Sequence, residues 1–387
     1  MARTVVILGA SVTGLPIAHY LLKHTADKVE GLKVIVVAPN TDFYWPIASV
    51  RGILPDMLPD DKLFTPIAPS FAQYPAERYE LVQGKAEHLD ISKNIVEVRE
   101  NDGSARKIQY DDLVIATGSS FKSGMPFKNL NSTKETKDAL HDWAQRIKNA
   151  KSIVVAGAGT TGVEVAGELG EQYAAKGLKH ITLVCDDELP LGTNIRRDVR
   201  EAAKRALERL QVKVIANARV TSPANSSFPG TVTITNKSSN STETLQADLL
   251  IPTYGIIPNT SFLPQSMLDS RGFVKQTQFL RAEGHNNIFV VGDAGNLESP
   301  QGVHADKQAV HASKLLEARL LGQEEQAYQP DERVMLAVTV GKNTGTGQVG
   351  GWKLWGWMVW LFKARYLGTD YAAGIAKGER TMTMKSW

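Results

Sequence analysis

Two βαβ units, each opened by a glycine-bearing turn, and a late strand ending in Gly-Asp make this an α/β chain of two Rossmann-like dinucleotide-binding domains plus a small C-terminal segment. The first unit is the apolar run 5–8, the turn 9–14, apolar residues at helical spacing over 15–23, and a second apolar run, 34–37. The same order returns at 153–156, 157–162, a helix over about 163–176, and 181–185. Strand-like runs that end at a glycine recur at 111–118 and 248–255, so the two halves resemble duplicated modules. The third observation is Asn287-Ile288-Phe289-Val290-Val291-Gly292-Asp293, a buried-strand pattern closed by a carboxylate.

Composition removes most other classes. The 387 residues carry 44 Lys plus Arg against 41 Asp plus Glu, with 42% hydrophobic content, 32 Gly and 17 Pro. That suits a soluble chain of two or three domains and excludes collagen, disordered and polybasic nucleic-acid-binding chains, so no specific nucleic acid is expected. A single cysteine, Cys185, excludes an internal disulfide, a redox-active pair and a CxxC metal knuckle. No HxxxH or HExxH pair occurs among the eight histidines, so no metal site is expected. The start has no signal-peptide pattern, and the apolar stretch 354–362 is about half of what a membrane span requires, which predicts a cytoplasmic protein. The sequon Asn225-Ser226-Ser227 means nothing without a secretory route, and the alternating run 231–235 suits a hairpin in the second module.

The turns carry the chemistry. Gly157-Ala158-Gly159-Thr160-Thr161-Gly162 follows an apolar run and opens a helix, where close backbone approach and free amide groups receive a pyrophosphate. Gly157, Gly159 and Gly162 are therefore cofactor-binding candidates, and Asp186 or Asp187 would accept the ribose hydroxyls and repel a 2′-phosphate, favouring NADH over NADPH. Arg196 and Arg197, about ten residues on, would reverse that preference. The first turn, Gly9-Ala10-Ser11-Val12-Thr13-Gly14, has Ser11 at the middle glycine position, and Asn40 is the nearest substitute for the missing ribose-binding acid. Thr117 and Gly118 end one strand, while Gly292 and Asp293 end another, where a carboxylate can hold a ribityl hydroxyl.

GxSxxG near residue 9, Ala116-Thr117-Gly118, GxGxxGxE at 157–164 and the late Gly292-Asp293 together resemble the two-dinucleotide-binding flavoproteins. Within them the chain looks most like the apoptosis-inducing-factor-like group that includes ferroptosis suppressor protein and fungal flavoproteins, similar in turn to type II NADH dehydrogenases. The resemblance implies FAD in segments 1–120 and 257–325, NADH or NADPH in the inserted segment 121–256, and a C-terminal hairpin or amphipathic segment over 326–387. It also implies that Arg51, closing Phe43-Tyr44-Trp45-Pro46-Ile47-Ala48-Ser49-Val50-Arg51, contacts FAD, and that the main chain of Ala86 holds the adenine. Lys363 matches a lysine near the flavin, with a snorkelling surface lysine as the alternative. Glu164 would turn toward the nicotinamide–flavin junction or serve as an ordinary first-turn helix acid.

With no thiol relay, flavin passes electrons from NAD(P)H directly to an acceptor, and the helix after Gly302 would stabilise the ring with its positive end, Lys307 or Gln308 facing that edge or lying on a solvated surface. The acceptor expected from the resemblance is quinone-like. The alternatives are an iron–sulfur protein, a specialised metabolite, or a non-enzymatic role as a cell-death binding factor. Residues 351–387 carry six Lys or Arg against two Asp or Glu, and 352–362 hold four tryptophans. This segment reads as a peripheral membrane contact or quinone mouth, or else as domain packing or a homodimer contact. Mitochondrial outer membrane or lipid droplet is the surface the resemblance implies, although Ala2 replaces the acylated glycine of animal relatives.

Overall fold

A computed structural model of the chain describes residues 3–221 and 228–387, which leaves the Asn225 sequon and Met1-Ala2 outside the described residues. The first module is a seven-stranded sheet in the order Ile288–Val290, Asp112–Ile115, Arg3–Leu8, Leu32–Ala38, Tyr79–Asp90, Ile95–Glu100, Ala105–Gln109. The first five strands are parallel and the last two pairings antiparallel. Parallel strands are covered on both faces, which is why they read as unbroken apolar runs; Val5, Val6, Ile7 and Leu8 are all buried.

The second module repeats the plan with four parallel strands, Lys213–Ile215, His180–Val184, Ser152–Ala156 and Leu249–Pro252. Its polar stretch folds as an antiparallel three-stranded sheet of Ala218–Val220, Gly230–Asn236 and Thr242–Ala247. The chain leaves the first module through Ser119–Phe121 and returns through Ile256–Pro258, and these two strands pair with each other. The insertion is thereby closed at its neck.

In both sheets the opening strand lies between the strand that follows it and one from much later in the module: Arg3–Leu8 between Leu32–Ala38 and Asp112–Ile115, Ser152–Ala156 between His180–Val184 and Leu249–Pro252. That reversal leaves a crevice at the carboxyl ends of Arg3–Leu8 and Ser152–Ala156, where the glycine turns lie. The last segment forms an antiparallel sheet of Met335–Thr339, Gly345–Val349 and Trp352–Leu354, followed by the helix Gly356–Val359 and a wider helical turn, Trp360–Ala364. Gly341, with φ +70°, sits in the tight turn between the first two of these strands. Among the described residues no helix is long and apolar enough to cross a membrane.

Candidate active site

Each cradle is closed by a contact only glycine permits. Gly9 has φ +110°, and a Cβ there would lie 2.3 Å from the Ala116 carbonyl oxygen; a Cβ on Gly14 would lie 1.8 Å from the Gly9 oxygen. The second cradle repeats this, since a Cβ on Gly162 would lie 1.9 Å from the Gly157 oxygen, and Gly157 has φ +98°. The Thr253 hydroxyl pins that turn by donating to the Ala156 and Gly157 carbonyls at 3.0 and 2.9 Å. Gly159 faces open space and precedes the Thr160–Gln172 helix with no side-chain cap, so the first-turn amide groups stay available to an anion. In the first cradle Ser11 is half-buried and stands where Gly159 stands in the second.

Beside the first cradle, Ala10, Ala38, Asn40, Ile67, Leu81 and Gln83 line a cleft. Asn40 is buried, and its Oδ1 has no hydrogen-bond partner among the described residues. An orphaned buried acceptor at the end of the second strand fits the ribose hydroxyl of an adenosine, so the residues present fit FAD. Ala86 stands apart from this lining: the strand pairs in parallel with Ala38 at Gln83, then turns to antiparallel pairing with Ile95–Glu100 from Gly84 onward.

Asp293 is buried, and its Oδ2 accepts from the Ser119 hydroxyl and the Lys128 ammonium, each at 2.8 Å. Lys128 was invisible to sequence reasoning because 165 positions separate it from Asp293. Thr117 and Gly118 hold the returning chain: the Thr117 hydroxyl donates to the Asn259 carbonyl at 2.8 Å, and the Asn259 amide groups donate back to the carbonyls of Thr117 and Gly118.

Glu164 and Lys363 meet. Lys363 Nζ donates to Glu164 Oε1 at 2.8 Å and to the Ala337 carbonyl at 2.6 Å, while the Thr339 amide donates to the same Glu164 oxygen at 3.2 Å. One turn further along the helix, Glu168 takes the Arg51 guanidinium in a fork of 3.0 and 2.5 Å. Arg51 also donates to the Ala364 carbonyl at 3.0 Å, so first module, inserted module and C-terminal segment converge on two adjacent ion pairs, Arg51–Glu168 buried and Lys363–Glu164 half-buried. Burial pushes the Glu168 carboxyl up, with Arg51 opposing the shift. Glu168 was missed at first, although its i+4 spacing from Glu164 is the signal that would have found it.

Three expected site residues are engaged elsewhere. Lys307 pairs with Asp331 at 2.6 Å, and the Gln308 side chain accepts from the Gly292 amide and donates to Glu298, both at 2.8 Å. Their place in the first turns of the Gly302–Leu320 helix drew attention to them but could not say that Asp331 and Glu298 wait there. Asp186 is covered by a bidentate Arg219, both bonds 3.0 Å, and by Lys237 at 3.1 Å; Arg219 holds its carboxyl below the usual range. Arg196 and Arg197 are paired with Asp198 and with Glu188 and Glu201. Among the described residues no group of three or more His, Cys, Asp or Glu is placed to hold a metal.

A family model for the pyridine nucleotide-disulphide oxidoreductases matches residues 3–312. The chain belongs to that family. Oxidoreductase ptaL of Pestalotiopsis fici is 39% identical, covering 92% of this chain and 94% of that protein, and oxidoreductase phnG of Penicillium herquei is 34% identical, covering 94% and 93%. Human ferroptosis suppressor protein 1 is 27% identical over 74% of this chain and 75% of its own length. In fold, the chain is similar to the sulfide:quinone oxidoreductase of the hyperthermophilic bacterium Aquifex aeolicus (TM-score 0.77, 17% identity, 97% of this chain and 92% of that one). It is also similar to NDH2 of Plasmodium falciparum in complex with NADH (TM-score 0.75, 13% identity, 96% and 98%). Membership makes this member of the pyridine nucleotide-disulphide oxidoreductases an enzyme that uses FAD and NAD(P)H. The disulphide of the family name has no counterpart here, because the lone Cys185 is buried at a strand end.

Proposed function

We propose that the enzyme takes hydride from NAD(P)H and delivers two electrons to a small quinoid or aromatic metabolite, as a tailoring flavoenzyme. The observation that carries this reading is the half-buried Glu164–Lys363 pair at the meeting of the three parts of the chain, with no thiol pair to relay electrons. Bound FAD would supply the hydride acceptance and the transfer of electrons onward. The two glycine cradles and Asn40 would bind the cofactor phosphates and adenosine, and Asp293 the ribityl chain. Lys363 has two of its three ammonium protons engaged, by Glu164 and Ala337, which leaves one N–H for an acceptor oxygen that gains electrons. Glu164 holds that ammonium in place. Relatives in two fungi, similar over more than nine-tenths of both chains and named as oxidoreductases, support the oxidoreductase part of this reading.

A second reading, quinone reduction at a lipid surface, is favoured by the exposed tryptophans of the C-terminal segment: Trp352 is 83% and Trp357 66% exposed. The purified protein would be reduced anaerobically with NADH or NADPH until the yellow colour bleaches, then offered soluble quinoid aromatics and a short-chain ubiquinone, with and without lipid vesicles. Recovery of colour with the soluble compounds, indifferent to vesicles, supports the tailoring reading. Recovery only with ubiquinone and vesicles moves the acceptor to the membrane.

A further inference from the structure

We propose that His304 is a flavin-contacting residue whose Nε2 accepts a hydrogen bond from the imide N3–H of the isoalloxazine ring. This rests on the FAD reading above. His304 is the third residue of the Gly302–Leu320 helix and is buried. Its Nδ1 lies 3.1 Å from the Ser299 carbonyl oxygen. A carbonyl only accepts, so Nδ1 carries the proton, and in the neutral ring Nε2 is then a lone pair. That Nε2 is buried with no partner among the described residues. A buried acceptor without a donor is costly, and a bound group that donates to it would relieve that cost.

The surroundings say what it awaits. Ala305, the next residue, packs on the Gly-Asp turn: a Cβ on Gly292 would lie 3.4 Å from Ala305 Cβ and 3.1 Å from Thr13 Cγ2. The first turn of this helix therefore packs on Gly292, whose other neighbour is Thr13 of the first cradle. At its very start the neighbours of Gly302 are apolar, Ile47 and Met382. Every other polar side chain in the first two turns is already satisfied: Asp306 by Thr381, Met382 and Thr383 of the tail, Lys307 by Asp331, Gln308 by Gly292 and Glu298. His304 alone among them has an unused atom. The polar edge of an oxidised flavin is a row of acceptors, suited to helix-start amide groups, broken by one donor, N3–H. An acceptor side chain among helix-start donors matches that one position. A hydroxyl of the reduced substrate is the other N–H or O–H source with the same chemistry, and the test separates them.

Full-length protein freed of FAD would be titrated with FAD and with 3-methyl-FAD, following flavin fluorescence, for the natural chain, His304→Asn and His304→Gln. Asn keeps a donor for Ser299 and loses the ε position, whereas Gln restores an acceptor near it. The expected result is that methylation weakens binding to the natural chain by about tenfold and to His304→Asn by less than about threefold, while His304→Asn binds FAD itself about tenfold more weakly and His304→Gln regains part of the loss. Equal losses on methylation in both proteins overturn the proposal. So does unchanged FAD affinity with a raised KM for the acceptor alone, which would assign the lone pair to the substrate. A natural chain that binds no FAD overturns the cofactor reading and this proposal together; one that binds FAD with additive losses overturns only the latter.

Discussion

Lys363 Nζ lies 2.8 Å from Glu164 Oε1 across 199 positions of sequence. The acid comes from the second phosphate cradle and the base from the C-terminal segment, so one ion pair records whether the two are docked. Its neighbour, Glu168 with Arg51, ties the first module to the same helix. Removing one member of such a pair strands a buried charge, whereas removing both does not.

Lys363→Met should therefore lower stability by roughly 3 kcal/mol and slow flavin reduction or reoxidation at least about tenfold. The double variant Glu164→Gln/Lys363→Met should regain most of the stability and none of the rate. Thermal unfolding and stopped-flow absorbance check both halves. A Lys363→Met protein with ordinary turnover would remove this lysine from the chemistry.

Arg51→Met should cost roughly 3–5 kcal/mol, since Glu168 is fully buried and the carbonyl of Ala364 loses its donor as well. Arg51→Lys should recover little of this, because an ammonium cannot make the fork. Limited proteolysis is the sensitive readout: the C-terminal segment should be cut first in both variants, and a cleavage pattern like that of the natural chain would show that Arg51 does not hold it.

Arg219 and Lys237 both pair with Asp186, so a ribose hydroxyl competes with two cations for its oxygens. With both cations in place a 2′-phosphate meets positive charge, so the ratio of NADPH to NADH efficiency should exceed what the acid alone predicts. Arg219→Ala/Lys237→Ala should swing that ratio toward NADH by about tenfold or more. Steady-state kcat/KM with each cofactor decides, and an unchanged ratio would place cofactor choice elsewhere.

His19 is a pH-sensitive joint. In the neutral ring its Nε2–H donates to the Ala376 carbonyl and its Nδ1 accepts from the Tyr74 hydroxyl, both at 2.9 Å, so the uncharged form is satisfied at both nitrogens. Burial pushes its pKa down from 6.5 to about 4, against the upward pull of the Ala376 bond. The unfolded chain binds a proton below 6.5 that the folded one refuses until about 4, so stability present above pH 6.5 is lost as pH falls toward 4. The loss should reach roughly 3 kcal/mol. His19→Gln should flatten this slope in denaturant titrations at pH 7, 6 and 5; an equal slope would assign it to other groups.

The tryptophan face should bind lipid. Trp352, Trp355, Trp357, Leu361 and Phe362 are exposed, and Lys353 and Arg365 sit over Trp355 and Trp360. The natural chain should float with anionic vesicles at low salt and release as salt rises, while Trp352→Ala/Trp355→Ala/Trp357→Ala should not float. If the natural chain stays in solution and sediments as a dimer instead, the face is a contact between copies.

Much of the first cradle and of its repeat was legible because the constraints there are local. Gly9 and Gly14 are dictated by contacts within one turn and one neighbouring strand end, and parallel strands betray themselves as apolar runs. The candidate side chains were legible one at a time. Glu164 and Lys363 each drew attention through residue type and position, but nothing in their neighbourhoods announced that they pair.

Lys307, Gln308 and Asp186 mark the boundary. A charged residue at a helix face or strand end advertises chemistry, yet its partner is chosen by whichever group the fold carries there, and Asp331, Glu298 and Arg219 arrive from distant segments. Secondary structure, the two glycine turns and the lack of a thiol relay follow from short-range sterics and composition, which the linear chain records. The two ion pairs, the covering of Asp186 and the unpaired nitrogen of His304 depend on which segments come within a few ångströms of one another, and short-range electrostatics has no signature until the chain is packed.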